Sequence, residues 1–524
     1  MMTLTGCRED DGSGYIFKYD ISANPGTLDP QIANDPNSEV VISNVFMGLL
    51  TANADGSLSE GVASDYIVSD DGLVYTFKLR QDVYWVDSDE FEQQCTAADF
   101  VYGFRRLFLP ETNAPRASEY YCIKNSRAVN MGGSSDATIL GVKALGDFEL
   151  EITLDYPNPR LPALLSEPPA MPCCEEFFLS SQGKYGLSAE CTPSNGAFYV
   201  SAWDYDPYTI TDNNNLILRR NSKNSESRTV YPSGLNFFIE EDGDFTADLL
   251  SGTTTCVAVT DEEAALIKGD YGCEEFKNIT VGLIFNHGYE LFKNKDFPRA
   301  LGALTDRRTI SRALTHFAPA YAIVPEEVSM LEKSYRELAG SSLTPKYSTE
   351  TARGYYEKAL PSLNKDLFAG ARIIVPNESA AEAVGYLMQE WQREYGFYCV
   401  VEVLNGTEYL SRLKSGNFEI AAIELTGSYN SPSAYLESFR RGSSANYGKY
   451  RSTEFEELMD AAEKAVDLAE SAKLYAEAEQ LLIDDAAFVP LYYKNEYFYY
   501  DADCSDIIYN PFTKNVYFRE AKKF

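Results

Sequence analysis

The sequence predicts an α/β protein of more than one domain, and three observations lead there. Across residues 372–425 the chain reads strand–helix–strand–helix–strand with short links, the pattern of a parallel sheet covered by helices. Short runs elsewhere alternate apolar and polar residues, as at 73–79, where Tyr75, Phe77 and Leu79 share one face and Thr76 and Lys78 the other. A chain of 524 residues exceeds what one core holds, so two to four domains are expected.

The elements follow in order. Residues 15–50 open with an alternating strand (Tyr15, Phe17, Tyr19), turn at Asn24-Pro25-Gly26 and end in a helical stretch at 40–50. Asp55-Gly56 marks a turn. Thr96-Ala97-Ala98-Asp99 is an N-cap with an acid three residues on, and Phe100, Val101, Phe104, Leu107 and Phe108 follow at helical spacing until Pro110. A strand at 149–154 ends in Pro157-Asn158-Pro159, and the Pro-, Cys-, Ser- and Gly-rich stretch 157–195 suits a crossing between domains. Strands are expected at 197–201, 215–219 and 234–239, with a polar loop at 221–234.

From about 281 the pattern changes. Pro298 opens a helix that runs to His316. A strand at 372–375 precedes a helix capped by Asn377, carrying Ala381, Val384, Leu387, Met388 and Trp391 and closed by Gly396. Strands at 398–404 and 419–425 flank a short helix at 408–414. Thr453-Glu454-Phe455-Glu456 caps the first of two acidic amphipathic helices that run to about Asp485. Pro490 ends them, and an aromatic strand region covers 492–500.

Composition narrows the function. Hydrophobic residues at 44% and charged residues at 24% are a globular balance. No run approaches the roughly 18 consecutive apolar residues of a membrane-spanning helix. A net charge of −34 repels phosphate backbones, which argues against nucleic-acid binding, and its plainest effect is solubility. Tyr 37 and Phe 29 exceed what a core needs, and surplus tyrosines suit a binding cleft, with a flat apolar body and one polar tip.

Catalytic patterns are missing. The two histidines, His287 and His316, do not adjoin a G-x-S-x-G turn, so a Ser–His hydrolase is not expected. There is no C-x-x-C or zinc-hydrolase pattern and no G-x-x-x-x-G-K-[ST] phosphate loop, so neither metal nor cofactor is expected and ATP hydrolysis belongs to a separate subunit. Cys95 with Cys122, and Cys256 with Cys273, are near enough in sequence for disulfides, buried thiols being the other reading. Cys173-Cys174 reads as structural.

Seven motifs then fall in one order. Thr27-Leu28-Asp29-Pro30-Gln31 leads to Asn44-Val45-Phe46-Met47-Gly48-Leu49-Leu50. Asp71-Gly72-Leu73-Val74-Tyr75-Thr76-Phe77-Lys78-Leu79-Arg80 with Trp85 follows, then Thr96-Ala97-Ala98-Asp99-Phe100-Val101-Tyr102. Asn195-Gly196-Ala197-Phe198-Tyr199 with Trp203, Leu218-Arg219-Arg220-Asn221, Phe285-Asn286 with Phe297-Pro298-Arg299-Ala300-Leu301, and Val489-Pro490-Leu491-Tyr492-Tyr493 complete the series. Together they resemble the extracellular solute-binding proteins of family 5, the peptide- and oligopeptide-binding lipoproteins of bacterial ABC importers, over nearly the whole chain. At the start, Leu4-Thr5-Gly6-Cys7 resembles a lipobox, with Cys7 the lipidated residue, although only six residues precede it.

The resemblance implies a two-lobed periplasmic-binding-protein-like fold of type II with an additional inserted domain and a hinge between the lobes. By family comparison residues 1–14 are lipobox remnant and tether; lobe I comprises 15–50, 184–280 and 490–524; the inserted domain is 51–183; and lobe II is 281–489. The implied function is capture of oligopeptides in an interlobe cleft by hinge closure and delivery to permease subunits with a separate ATPase. A monomer is expected, extracytoplasmic or periplasmic, held to the bacterial membrane by its N-terminal lipid only.

In the family one aspartate of a "DYxDP" segment fixes the peptide ammonium. Here the segment reads Gly427-Ser428-Tyr429-Asn430-Ser431-Pro432, with Ser428 where the acid belongs and Leu425 where a tryptophan is usual. A hydroxyl does not replace that charge. The ligand then lacks a free amine, or another acid such as Glu424 or Asp35 serves, or the chain is a ligand-altered or transport-inactive surface lipoprotein with a sensing, adhesion or scaffold role. Asn34, Asp35 and Pro36 match a ligand-contacting loop of lobe I, Arg116 a position of the inserted domain often held by tyrosine, where the arginine is expected to meet a carboxylate, and Tyr492 and Tyr493 the aromatic wall.

Overall fold

Caps written into the sequence start the helices. The Asp35 carboxylate accepts from Ser38 N at 2.8 Å, and Pro36 occupies the first turn, so the first helix is Pro36–Val45 rather than the expected 40–50. Asp99 Oδ2 accepts from Thr96 N at 2.7 Å and opens Ala97–Phe108. Asn377 Oδ1 accepts from Ala380 N at 2.9 Å ahead of Glu378–Tyr395, which ends at Gly396 with φ 68°. The helix expected over 298–316 is two, Asp296–Ala303 and Arg307–Ala313, because Asp306 caps anew and accepts from Arg308 N. Ser452, not Thr453, caps Thr453–Lys464, with Leu468–Asp484 its companion.

The computed structural model describes residues 14–53, 57–89, 91–208, 214–224, 229–241, 243–314, 317–340 and 347–524. Cys7, the residue expected to be lipidated, the Asp55-Gly56 turn and His316 lie outside the described residues. The chain divides into two compact units, residues 1–274 with 497–524, and 275–496. It passes from one to the other within two long strands, Tyr271–Phe285 and Val489–Asp501. The boundaries expected at 280/281 and 489/490 fall inside these strands.

The first unit carries two separate four-stranded sheets. In one, Ile16–Ile21 pairs in parallel with Gly234–Ile239, and Asn215–Arg220 and Phe198–Asp204 continue it antiparallel. The other is antiparallel, with Ala63–Val68, Val74–Leu79, Glu149–Thr153 and Val142–Gly146 in that order. Tyr75, Phe77 and Leu79 are buried and Lys78 is exposed, as the alternation requires. Several motif residues are structural. Arg106, buried on the Ala97–Phe108 helix, donates to Asp29 Oδ1 at 3.0 Å and to Gln31 Oε1 at 2.7 Å, and its guanidinium lies 4.0 Å from the Phe178 ring centre. Asn195 Oδ1 accepts from Met47 N at 3.0 Å and its Nδ2 donates to Met47 O at 2.9 Å, while a Cβ on Gly196 would stand 2.5 Å from Val45 O.

In the second unit Arg372–Val375 lies parallel to both Val400–Val403 and Ile420–Thr426, the parallel core read from the sequence. Ile420–Thr426 then pairs antiparallel with Tyr271–Phe285, from Ile279 opposite Thr426 to Phe285 opposite Ile420. Phe297, Trp391 and Phe397 centre the core, and Trp391 Nε1 donates to Leu301 O at 3.1 Å.

The disulfide expectation is corrected. Cys95, Cys122 and Cys256 are buried thiols and Cys273 is an exposed, unbridged cysteine. Burial satisfies Cys95, Cys122 and Cys256 as small apolar side chains, and it pushes the Cys122 thiol up to about 11.

Candidate ligand-binding site

The segment 424–430 leaves the end of the Ile420–Thr426 strand, where alternation turns Glu424 outward and Leu425 inward. Glu424 is engaged. Its Oε1 accepts from Lys494 Nζ at 2.9 Å and from Asn377 Nδ2 at 3.4 Å, and the Lys494 side chain is only 7% exposed. A buried ammonium therefore already claims the nearest carboxylate of this segment.

Gly427 has no room for a side chain, since a Cβ there would stand 2.7 Å from Tyr435 Cε2. Tyr435 is fixed in turn, its hydroxyl donating to Asn278 O at 2.6 Å. Ser428 is exposed. The Tyr429 hydroxyl lies 2.9 Å from Glu437 Oε1, and Asn430 grips Ser329, accepting from its N at 2.8 Å and donating to its Oγ at 2.8 Å. The loop that presents Ser428 is thus held on both sides.

The two tyrosines of the expected aromatic wall part company. Tyr492 is 1% exposed and stacks on Phe317 at 4.7 Å, so it is a core residue and not an open wall. Tyr493 is half-buried, its hydroxyl donates to Ala322 O at 3.3 Å, and burial together with Glu479 holds its pKa above the usual tyrosine range.

A cavity of about 370 Å³ in the second unit is lined by Glu424, Leu425, Tyr409, Tyr447 and Phe439 among others. It joins two predicted residues to aromatic ones the motifs did not reveal. The only advance signal of Tyr409, Tyr447 and Phe439 is the tyrosine and phenylalanine surplus, which does not pick out positions.

In the first unit, Asn34 and Pro36 are exposed and Asp35 is occupied as a helix cap, which also takes Ser38 Oγ at 2.6 Å. Arg116 meets carboxylates within its own unit. It binds Glu39 at 3.3 Å, Glu119 at 2.9 Å and Glu167, so three carboxylates of its own unit already match its charge. Burial alone would lower its pKa, and Glu167 and Glu119 more than reverse that. Glu39 is raised by burial, which the arginine only partly offsets.

Among the described residues no helix is long and apolar enough to cross a membrane. Asp501, Asp503 and Cys504 approach one another as metal ligands would, but Lys523 Nζ already sits 3.2 Å from Asp501 and 2.9 Å from Asp503.

Comparison with known proteins bears on this arrangement. Residues 57–447 match the profile of the bacterial extracellular solute-binding proteins, family 5. The oligopeptide-binding protein OppA of Bacillus subtilis is 26% identical, over 98% of this chain and 94% of its own. The probable deoxycholate-binding periplasmic protein YgiS of Escherichia coli is 25% identical, over 91% of this chain and 88% of its own. The structure of the Escherichia coli murein tripeptide-binding protein MppA superimposes with a TM-score of 0.72 at 21% identity, covering 98% of this chain and 99% of that one.

Proposed function

Because the chain belongs to the bacterial extracellular solute-binding proteins of family 5, we propose that it captures oligopeptides outside the cytoplasm and hands them to the permease of an ABC importer. The observation that carries this reading is the family match across 57–447, joined to likeness along nearly the full length of an oligopeptide-binding relative. Capture takes place in a cleft closed by a hinge, and the two strand crossings at 274/275 and 496/497 are where the chain would flex. Peptide backbone pairs with strand edges, and side chains enter roomy hydrated pockets, so selectivity for sequence is low. The protein acts as a monomer without a cofactor, catalyses no reaction, and is held to the membrane by a lipid on Cys7.

One observation favours a second ligand class. Ser428 carries no charge, Glu424 is held by Lys494, and Asp35 is held by Ser38, so each acid first considered for a free amine is engaged within its own unit. A solute without a free amine fits that arrangement, and a relative named as a probable deoxycholate-binding protein is 25% identical to this chain.

Native mass spectrometry of protein purified without denaturation, repeated after mild unfolding, tests both. Released peptides of mixed sequence establish the oligopeptide reading. A single amine-blocked or non-peptide species moves the chain to the second class. No ligand, with no thermal shift on adding peptide pools, defeats both in favour of a scaffold role.

A further inference from the structure

The first unit contains a carboxylate that its own fold leaves unanswered. Asp20, on the Ile16–Ile21 strand, is 6% exposed, and neither Oδ1 nor Oδ2 has a hydrogen-bond partner among the described residues. The hydroxyl of Thr254 makes no hydrogen bond of ordinary length among the described residues, but it is near enough to Asp20 to lower its pKa slightly against the larger effect of burial. Burying a carboxylate in this state costs several kcal/mol unless something answers it. Asp20 lines a cavity of about 180 Å³, the room of about six waters. The rest of the wall is largely apolar, with Ile21, Val40, Phe245, Val257 and Ala258.

That wall defines the ligand chemistry. A divalent metal is best held by several carboxylates, and among the described residues Asp20 is the one carboxylate on a wall that also carries the Lys514 cation. A primary ammonium on a short alkyl chain matches both parts, its charge on Asp20 and its methylenes against the apolar wall. We propose that this cavity receives a primary alkylammonium group, with Asp20 as its carboxylate. Pro36, from the loop expected to contact ligand, also lines it. Resting on the peptide reading, the inference makes this the place where a ligand amine, unmet by Ser428, is bound.

The surrounding charges are consistent with an incoming cation. Glu240 follows the Gly234–Ile239 strand, Asp248 lies on the Phe245–Ser251 helix, and Cys256 starts the Cys256–Thr260 strand. Lys514 is the cation on the wall, and its Nζ donates to Pro511 O at 2.7 Å. Burial, Asp248 and Glu240 push the Asp20 pKa up to about 7. An ammonium binds only the ionised form, so its apparent affinity rises with pH.

The test is titration of the whole protein with n-butylammonium chloride, n-butanol as the neutral control, followed by thermal shift and calorimetry. Butylammonium should bind the native protein about tenfold more tightly at pH 8 than at pH 6, given a free-state pKa of about 7. Asp20→Asn should abolish both the binding and its pH dependence, and n-butanol should bind neither protein. Equal shifts from butylammonium and butanol, a pH-independent affinity, or a D20N protein that binds as well as the native one overturns the proposal. Peptide pools separate this from the broader reading. If butylammonium binds as stated while no peptide binds, the peptide reading fails and the site stands. If peptides bind the native and D20N proteins alike, the site falls and the peptide reading stands.

Discussion

Asp29 shows how a residue carried by a family motif can serve the fold and not the ligand. Its carboxylate neutralises the buried Arg106, so Asp29→Ala leaves a guanidinium without its charge partner in the interior. Such a change should cost about 3–5 kcal/mol, read as a lower denaturant midpoint. Asp20 behaves in the opposite sense. Its folded pKa of about 7 exceeds the ordinary 3.8, so the folded state holds the proton more tightly. The stability this gives is fully present below pH 3.8 and is lost as pH rises through about 7. At pH 8 and without ligand, Asp20→Asn should therefore be more stable than the native protein, by about 2–4 kcal/mol, and the difference should vanish in acid. Chemical denaturation across pH checks both size and sign. Residue identity told the two apart only in part. Asp29 stands in a recognisable motif, but nothing in the string around Asp20 marks it as buried without a partner.

Elements were legible where a local period or cap defined them. The alternation of Tyr75, Phe77 and Leu79 locates a strand because side chains in a strand take opposite faces by turns. Asn377 and Gly396 bracket a helix because each answers backbone groups at an end. The break between Asp296–Ala303 and Arg307–Ala313 escaped because the apolar spacing continues across it and Asp306 reads equally well as a helix-surface residue. The site was least legible, since its pairings span long separations: 70 residues from Glu424 to Lys494, 101 from Asn430 to Ser329 and 157 from Tyr435 to Asn278. Glu479 makes the same point for stability. Wholly buried on the Leu468–Asp484 helix, it accepts from Ile323 N and Val324 N, both at 2.8 Å, and binds Arg336 Nη1 at 2.6 Å. Glu479→Ala should destabilise the protein by about 3–5 kcal/mol and Glu479→Gln by less, as measured by urea unfolding. Gly427→Ala should drive the buried Tyr435 aside and destabilise the protein by about 1–3 kcal/mol, read as a lower urea midpoint.

At the scale of the molecule, a charge of −34 is a property of the surface and not of any one pocket. It draws cationic peptides toward the protein before any contact forms. Raising ionic strength from about 0.01 M to about 1 M shortens the screening length from about 30 Å to about 3 Å. Stopped-flow association of a lysine-rich peptide should slow by about tenfold or more over that range, while an uncharged peptide should be nearly unaffected. The count of charges alone supports this expectation, whereas the division at 274/275 and 496/497 needed the three-dimensional arrangement, because both boundaries lie within unbroken strands.

The uneven burial of the cysteines gives the experimenter a place to attach a dye. Cys95, Cys122, Cys173, Cys174, Cys256, Cys399 and Cys504 are shut inside and Cys191 is half-hidden, while Cys273 is exposed on the Tyr271–Phe285 strand, next to the 274/275 crossing. A maleimide fluorophore should label Cys273 ahead of these buried thiols without any mutation. Its emission, followed as solute is added, would turn a native side chain into a gauge of what ligand does to the segment joining the two units.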